Sequence, residues 1–563
     1  MVNELLNQLL NEVGKKLGYE GLQVILSNRP EVSDYQCDAC FSLAKIHHES
    51  PMVIGEKIVN EIKNHEKYED YFQEVSFASP GFINFKLSDS FINRVLRMME
   101  ESDNFGIKKA EEPLTFVLDY GGPNIAKPLH VGHMRTAIVG ESIKRIIHYM
   151  GHKTIADVHL GDFGLQIGQV IYGIIEKGIK IEDLTLEQLS EIYPWMSGRC
   201  KEDEALKAEC ARITKSIQDD EPDYLDYYHK VYELSKNDIK RIYDYLDVHF
   251  DLWYGEMDSR PFIKPVENIL KEKGLLQDSQ GVKVVDVREE DDTKEIPPLI
   301  YQKSNGAYLY GSTDMATIYE REQDFHPDYI LYITDLRQSL HFTQVFRASL
   351  KSGITDAKLE HLGYGTINGM DGKPYKTRSG ETPKLDDLFK DVEQIFISKK
   401  EDNKELSAED RKKIVNSILK FADLQNSREK DYIFDINKFS NVVGKTGPYV
   451  LYTYLRIHKI LQNEKNVHNL SNMVYNEEDR NLRLKLMELD RAVKTAYETR
   501  KPHYIVDYIY NLALLTNAFY QNNHILGLED ETKKEDWLYV LHLTSRILKE
   551  MLHLVMIEIP ENM

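Results

Sequence analysis

The sequence predicts an α/β protein: a parallel-sheet unit in the middle of the chain, an α+β unit before it and an α-helical unit after it. Three observations carry this. Residues 114–160 read strand, glycine turn, helix, strand, which is a βαβ unit and hence a parallel sheet. Residues 1–110 mix helical periodicity with two short β-like runs. From about Leu385 the apolar spacing is helical nearly to the end.

Taken in order, Leu5, Leu6, Leu9, Leu10 and Val13 recur at helical spacing, as do Ile54, Ile58 and Ile62. VSFASPGFINFKL follows, two β-like runs broken at Pro80–Gly81. The charged stretch 100–113 ends in Pro113 and reads as a linker. LTFVLDY, from Leu114, has the form of a strand buried on both faces. After the GGPN turn a helix is expected from about Val131 to Met150. Ala137, Ile138, Ile143, Ile146 and Ile147 are apolar there, and Gly151 stands where a helix-ending glycine belongs. KTIADVHL is the second strand. Residues 176–245 are charged and helical, an insertion in the α/β unit. VKVVDV, AYLYGS, YILYIT and LGYGTI read as further strands. Amphipathic helical runs lie around 411–425, 447–463, 481–499 and 504–521. The expected units are therefore 1–110, 111–384 and 385–563.

Composition narrows the class. The chain has 563 residues, 42% apolar and 29% charged, which fits a folded globular protein of several domains. No apolar run reaches the roughly 18 residues of a membrane span. The N-terminus starts polar and acidic and then turns amphipathic, unlike a signal peptide. Four cysteines exclude a disulfide-built fold and suit a reducing compartment. Cys37 and Cys40 form a CxxC, but Cys200 and Cys210 lack the spacing of a second zinc-ligand pair. The first pair is expected as two small residues on a helix. The net charge of −21 is uneven: −5 over residues 1–100, −14 over 101–400, +2 over 401–500 and −4 over 501–563. A polyanion responds to local potential, so the total does not exclude nucleic acid.

Two motifs carry chemistry. In DYGGPNIAKPLHVGH, His130 and His133 flank Val131–Gly132 where a strand hands over to a helix. A helix N-terminus offers free N–H groups and a positive dipole end. Gly132 lets a phosphate or base approach the backbone. Histidine N–H donors can follow a phosphate oxygen as charge develops, and Lys127 adds a cation. The second motif is NGMDGKPYKTRSG, residues 368–380, with Lys373 and Lys376 spaced as KxxK. Two lysines on a glycine-rich loop can close over a triphosphate and neutralise a departing pyrophosphate.

The pair resembles class I aminoacyl-tRNA synthetases. His130-Val-Gly-His133 is similar to their HIGH motif, and Lys373-Pro-Tyr-Lys376-Thr377 to their KMSKS loop. PNIAKPLHVGHMR, DGKPYKTRSG and TGPYVLYTYLRI resemble the arginyl-tRNA synthetases, as do SPGFINFKL and FADLQNSREKDYIFD. The resemblance covers nearly the whole chain. It implies a Rossmann-type catalytic domain, an N-terminal tRNA-contacting domain and a helical anticodon-binding domain. It implies adenylation of L-arginine by ATP, with Mg2+ accompanying the ATP, and transfer to tRNA-Arg. It further implies a monomer in the cytoplasm, with no membrane partner and no tightly bound cofactor.

By the family pattern, His130, Gly132, His133, Lys127, Lys373 and Lys376 serve ATP and the leaving pyrophosphate. Asp314 and Tyr310 fall on the guanidinium side of the arginine pocket. Asp119 and Asn124 fall near the α-amino group, and Gln338 closes the pocket. Their ordinary readings are a strand-end acceptor for Asp119, a strand aromatic for Tyr310, a helix N-cap for Asp314 and a surface residue for Gln338. Phe82 and Asn84 match positions that stack on and hydrogen-bond a tRNA loop base. Gly121–Gly122 stand where relatives more often have alanine or a small hydroxyl residue. Two other readings compete. A nucleotidylyltransferase would leave the flanking units unexplained. A non-catalytic tRNA-binding scaffold predicts erosion of His130, His133 or Lys376, all of which are intact.

Overall fold

Thr115–Tyr120 forms a central strand because both its faces are covered: Phe116, Val117 and Leu118 are fully buried. The structure is a computed structural model and describes residues 1–304, 306–375, 384–400, 405–462 and 470–563. By its contacts the chain divides into two units. One takes Met1–Lys108, Val450–Thr495 and Asp507–Leu552; the other takes Lys109–Tyr449, Ala496–Val506 and His553–Met563. Helices Leu385–Ser398 and Ala408–Leu424 belong to the second unit, with the parallel sheet.

In that unit the four strands of the sheet are all parallel. Their order across it is Lys358–His361, Tyr329–Ile333, Thr115–Tyr120, Lys153–Asp157. The chain builds outward from Thr115–Tyr120, first to one side and then to the other. The direction of winding therefore reverses beside that strand, and a crevice opens at the carboxyl ends there. The crossover helix Val131–Tyr149 buries the expected Ala137, Ile138, Ile143, Ile146 and Ile147. Gly151, at φ +92°, takes the left-handed turn that ends it. Helices Leu165–Glu176, Leu186–Glu202, Glu204–Gln218 and Leu225–Tyr245 form the insertion, which starts earlier than its charge pattern suggested.

Two expected strands differ, and a third, VKVVDV, is a strand as expected but lies outside the parallel sheet. Val282–Val285 pairs antiparallel with Leu276–Ser279 and Leu299–Gln302 in a separate sheet. The two-residue turn Gln280–Gly281, both at positive φ, folds it straight back on its neighbour. AYLYGS is not a strand: a helix runs over Tyr310–Phe325, started by Ser312 Oγ, which accepts the Leu309 N–H at 2.9 Å. Asp314 is therefore inside the helix and not its N-cap. In LGYGTI the parallel strand has already ended at His361; Tyr364 makes a single bridge to Asp335, and Ile367–Asn368 pairs with Tyr432–Ile433. The CxxC is split: Cys37 ends the strand Tyr35–Cys37 and Cys40 opens the helix Cys40–His47.

The other unit contains an antiparallel sheet ordered Ile25–Leu26, Tyr35–Cys37, Phe82–Leu87, Phe72–Ala78. Ile83, Phe85 and Leu87 are buried, so Phe82, Asn84 and Lys86 share the opposite, partly open face. Buried Arg483 joins distant segments here. It donates to Asp479 and to Asn93, both at 2.6 Å, and pairs with Asp536.

Candidate active site

A cavity of about 850 Å3 occupies the crevice at the carboxyl ends of the central strands. Asp119, Asn124, His130, Gly132, His133, Tyr310, Asp314 and Gln338, expected from three separate stretches of sequence, all line it. The fold brings them together because strand ends and the helices that follow them face one crevice. Pro374 and Tyr375 of the lysine motif also line it. Lys373 stands beside them in a hairpin in which the Gly369 N–H donates to the Lys373 carbonyl at 2.8 Å. Lys376 lies outside the described residues.

His130 is the N-cap of the helix Val131–Tyr149. Its Nδ1 accepts the Gly132 N–H at 3.1 Å, and His133 Nδ1 accepts the His130 N–H at 3.1 Å. The cap uses Nδ1 of both rings as an acceptor. Each neutral ring therefore carries its proton on Nε2. Burial, then Lys127, lowers the His130 pKa; burial, His130 and Lys127 bring His133 down to about 3. Near neutral pH both histidines are uncharged Nε2–H donors at the positive end of a helix.

Lys127 is placed differently from the expectation. It lines a neighbouring cavity of about 360 Å3, and its Nζ lies 4.5 Å from the Tyr193 ring centroid. Its influence on the histidines is through charge. Gly121 sits at φ +77°, and a Cβ on Gly122 would come within 2.5 Å of the His159 carbonyl and 2.8 Å of that of Val158. The glycine pair thus lets two backbone segments close on each other, beyond adding freedom at the turn.

Another part of the cavity and its surroundings is acidic, and much of it was not legible from sequence. Asp119 is not simply a strand-end acceptor: Arg321 donates to Asp119 Oδ2 and to Asp157 Oδ2, each at 2.7 Å. Burial raises the Asp119 pKa. Against burial, His159 and Arg321 hold Asp157 down to about 2. Against burial, Asp157 and Asp119 lift His159 to about 9. Asp119, Asp157 and His159 are the group among the described residues whose donors lie close enough for a metal ion. With a guanidinium between the carboxylates and a cationic imidazole beside them, that set does not fit one.

Tyr310, 60% exposed, opens its helix at the cavity, and Asp314 one turn later meets His341 Nε2 at 2.5 Å. Against burial, Asp314 raises the His341 pKa. Glu256 lines the same cavity. Burial lifts its pKa to about 7, opposed by His159 and aided by Asp162 and Asp314. Asn124 Oδ1 accepts from Gln166 Nε2 at 3.2 Å. Gln338 ends a short 3-10 turn, Leu336–Gln338; it is an exposed residue, in keeping with its ordinary reading, and it lines the cavity.

Comparison with known proteins agrees along the chain. Residues 95–436 match the family described as tRNA synthetases class I (R), catalytic domain. Residues 1–87 match the arginyl tRNA synthetase N-terminal domain, and 450–563 the DALR anticodon binding domain. The chain is 39% identical to an arginine–tRNA ligase of Agathobacter rectalis, with 100% of each covered, and 37% identical to one of Alkaliphilus oremlandii, with 99% of each covered. Among solved structures it is similar to an arginyl-tRNA synthetase of Plasmodium falciparum, with TM-score 0.81, 26% identity and coverage of 100% of this chain and 99% of that one. The fold also matches that of the Thermus thermophilus arginyl-tRNA synthetase, with TM-score 0.83 at 20% identity and 100% of each chain covered. Sequence motifs, cavity and relatives converge, and the chain belongs to the arginyl-tRNA synthetases, the arginine–tRNA ligases of class I.

Proposed function

We propose that the crevice cavity is where this ligase activates L-arginine with ATP and passes the arginyl group to tRNA-Arg. The observation that carries the reading is that the His130–His133 cap, the hairpin of Lys373 and the acidic residues Asp314 and Glu256 meet at one cavity.

The arginine carboxylate oxygen attacks the α-phosphorus of ATP, and the bond to pyrophosphate breaks. Negative charge grows on the phosphate oxygens in passing. Nε2–H of His130 and of His133 donates to them, and the helix N-terminus adds its field. Lys373 and Lys376 neutralise the pyrophosphate as it leaves, with Lys127 assisting from a distance. Asp314, Tyr310 and Glu256 hold the guanidinium, where a planar fork of donors meets carboxylates. Asp119 offers the oxygen that Arg321 leaves free, and Asn124 stands beside it for the α-amino group, while Gln338 closes the pocket. The terminal ribose hydroxyl of tRNA then attacks the activated carbonyl and releases AMP. No covalent enzyme intermediate is needed; alignment and charge stabilisation suffice. Mg2+ enters bound to ATP.

Phe82 and Asn84, on the open face of the N-terminal sheet, contact a loop base of tRNA. The helical region after 450 reads the anticodon. We place the enzyme in the cytoplasm, in keeping with its four free thiols, and take it as a monomer from the family resemblance alone. Arginine-dependent ATP–pyrophosphate exchange tests the reading. With cognate tRNA present, exchange should run with arginine and not with lysine or glutamate. No exchange with any amino acid would favour a scaffold.

A further inference from the structure

Arg135 follows His133 by two residues on the same helix, and it is 1% exposed. It borders the cavity, and its guanidinium donates to backbone carbonyls. Nη1 donates to the Gly365 carbonyl at 2.6 Å and to that of Thr366 at 3.1 Å. Nη2 donates to the Arg428 carbonyl at 3.2 Å and to that of Lys430 at 3.0 Å. Nε faces Asp423 at 3.6 Å, and the guanidinium lies 5.1 Å from the Tyr432 ring centroid. One buried guanidinium thus satisfies carbonyls from two chain segments, a task for a rigid planar fork.

The segments are not incidental. Gly365–Thr366 lead into Ile367–Asn368 and the hairpin that carries Lys373, in which the Tyr375 N–H donates to the Ile367 carbonyl at 3.0 Å. Residues 428–430 lead into Tyr432–Ile433, the strand paired with Ile367–Asn368. The Gly365 N–H donates to the Arg428 carbonyl at 2.9 Å, so the two segments are already joined where Arg135 grips them. A Cβ on Gly365 would come within 2.6 Å of the Lys430 carbonyl carbon. Past the lysine motif, the Leu385 N–H donates to the Leu129 carbonyl at 3.1 Å, one residue before His130. The segment bearing the lysines is therefore bonded, before and after, to the start of the histidine helix.

We propose that Arg135 is a positioning residue for adenylate formation: by holding Gly365 and Thr366 to the helix of His130 and His133, it sets the spacing between the two motifs that act on one triphosphate. The proposal rests on the adenylate-forming reading of the cavity. Arginine binding, which involves other residues, should be indifferent to Arg135, whereas the chemical step should not. Misplacement by about 1 Å costs on the order of a hundredfold in rate.

The test uses the full chain with saturating tRNA-Arg. Arginine-dependent exchange is measured for wild type, Arg135→Lys and Asp423→Asn. Each rate is divided by the number of arginine sites counted by equilibrium dialysis with labelled arginine. Arg135→Lys keeps the charge and loses the fork. It should lower the per-site kcat at least tenfold and leave the arginine KM within twofold. Asp423→Asn, which loosens the guanidinium from one side, should lower the per-site kcat about threefold at unchanged arginine KM. A purely structural role predicts fewer intact sites of normal per-site rate, and that outcome overturns the proposal. If Arg135→Lys does not fold, Asp423→Asn decides, and an unchanged per-site kcat there overturns it. Inactive wild type would instead sink the adenylate-forming reading itself.

Discussion

The rings of His130 and His133 lie with centroids 3.9 Å apart, each anchored through Nδ1 by a backbone N–H of the same helix turn. Two cationic imidazoles could not share that space cheaply, and burial keeps them neutral. Replacing His133 by Ala should slow exchange by about two decades or more, the scale of a lost oxyanion-type donor, while tRNA binding barely changes. Full exchange activity in that variant would refute the role. The same residue shapes acid stability. Its folded pKa of about 3 lies below the ordinary 6.5, so the unfolded chain takes the extra proton between those values. Stability is then lost as pH falls below 6.5. His133→Gln should show a shallower fall of Tm between pH 6.5 and 4.5 than wild type.

Glu256 predicts how arginine affinity follows pH. Its pKa of about 7 means that protonation competes with a guanidinium near neutrality. Arginine KM in exchange should therefore be flat above about pH 7.5 and rise up to about tenfold per pH unit below 7. Glu256→Gln should remove most of that slope and raise KM about tenfold at pH 8. Asp314→Asn should likewise raise KM far more than it lowers kcat. A variant that lowers only kcat would place these carboxylates elsewhere in the reaction.

Phe82 and Asn84 share a face with Lys86, and Phe82 meets Phe41 edge-on at 5.2 Å. If that face stacks on a base, Phe82→Ala should raise the KM for tRNA roughly tenfold, in line with about 1–3 kcal/mol per stacked base. Exchange at saturating tRNA should be untouched. Equal tRNA KM values for variant and wild type would return Phe82 to a packing role.

Arg483 joins Asp479, Asn93 and Asp536 without water access. Asp536→Ala would strand a buried guanidinium and should cost about 3–5 kcal/mol in urea unfolding. Replacing Arg483, Asp479 and Asp536 together by apolar residues of like volume should recover most of that loss.

What the sequence disclosed follows from how local each signal is. The strand–turn–helix of residues 114–149 is written in adjacent residues, and it stands as expected down to the helix-ending Gly151. AYLYGS misled because alternating apolar residues outweighed a serine three positions after Leu309, whose hydroxyl starts the helix. Val282–Val285 has strand composition, but its partners depend on a turn that only positive φ at Gln280 and Gly281 reveals. Glu256, His159 and Arg321 carry no local signature, and Arg135, though it ends the PNIAKPLHVGHMR stretch, shows no role there. Their significance is made by partners such as Gly365 and Asp119, far away in the chain, and only the fold introduces them.

Asp314 and Arg321 are seven residues apart on one helix, two turns along the same side. In the proposed reaction the first meets an incoming guanidinium; the second is a guanidinium already paired with Asp119 and Asp157. Behind the proposed arginine pocket the chain thus keeps a buried copy of the group that pocket would select. That resident copy occupies the inner carboxylates, so on the proposed reading Asp314 and Glu256 are left to meet the incoming cation.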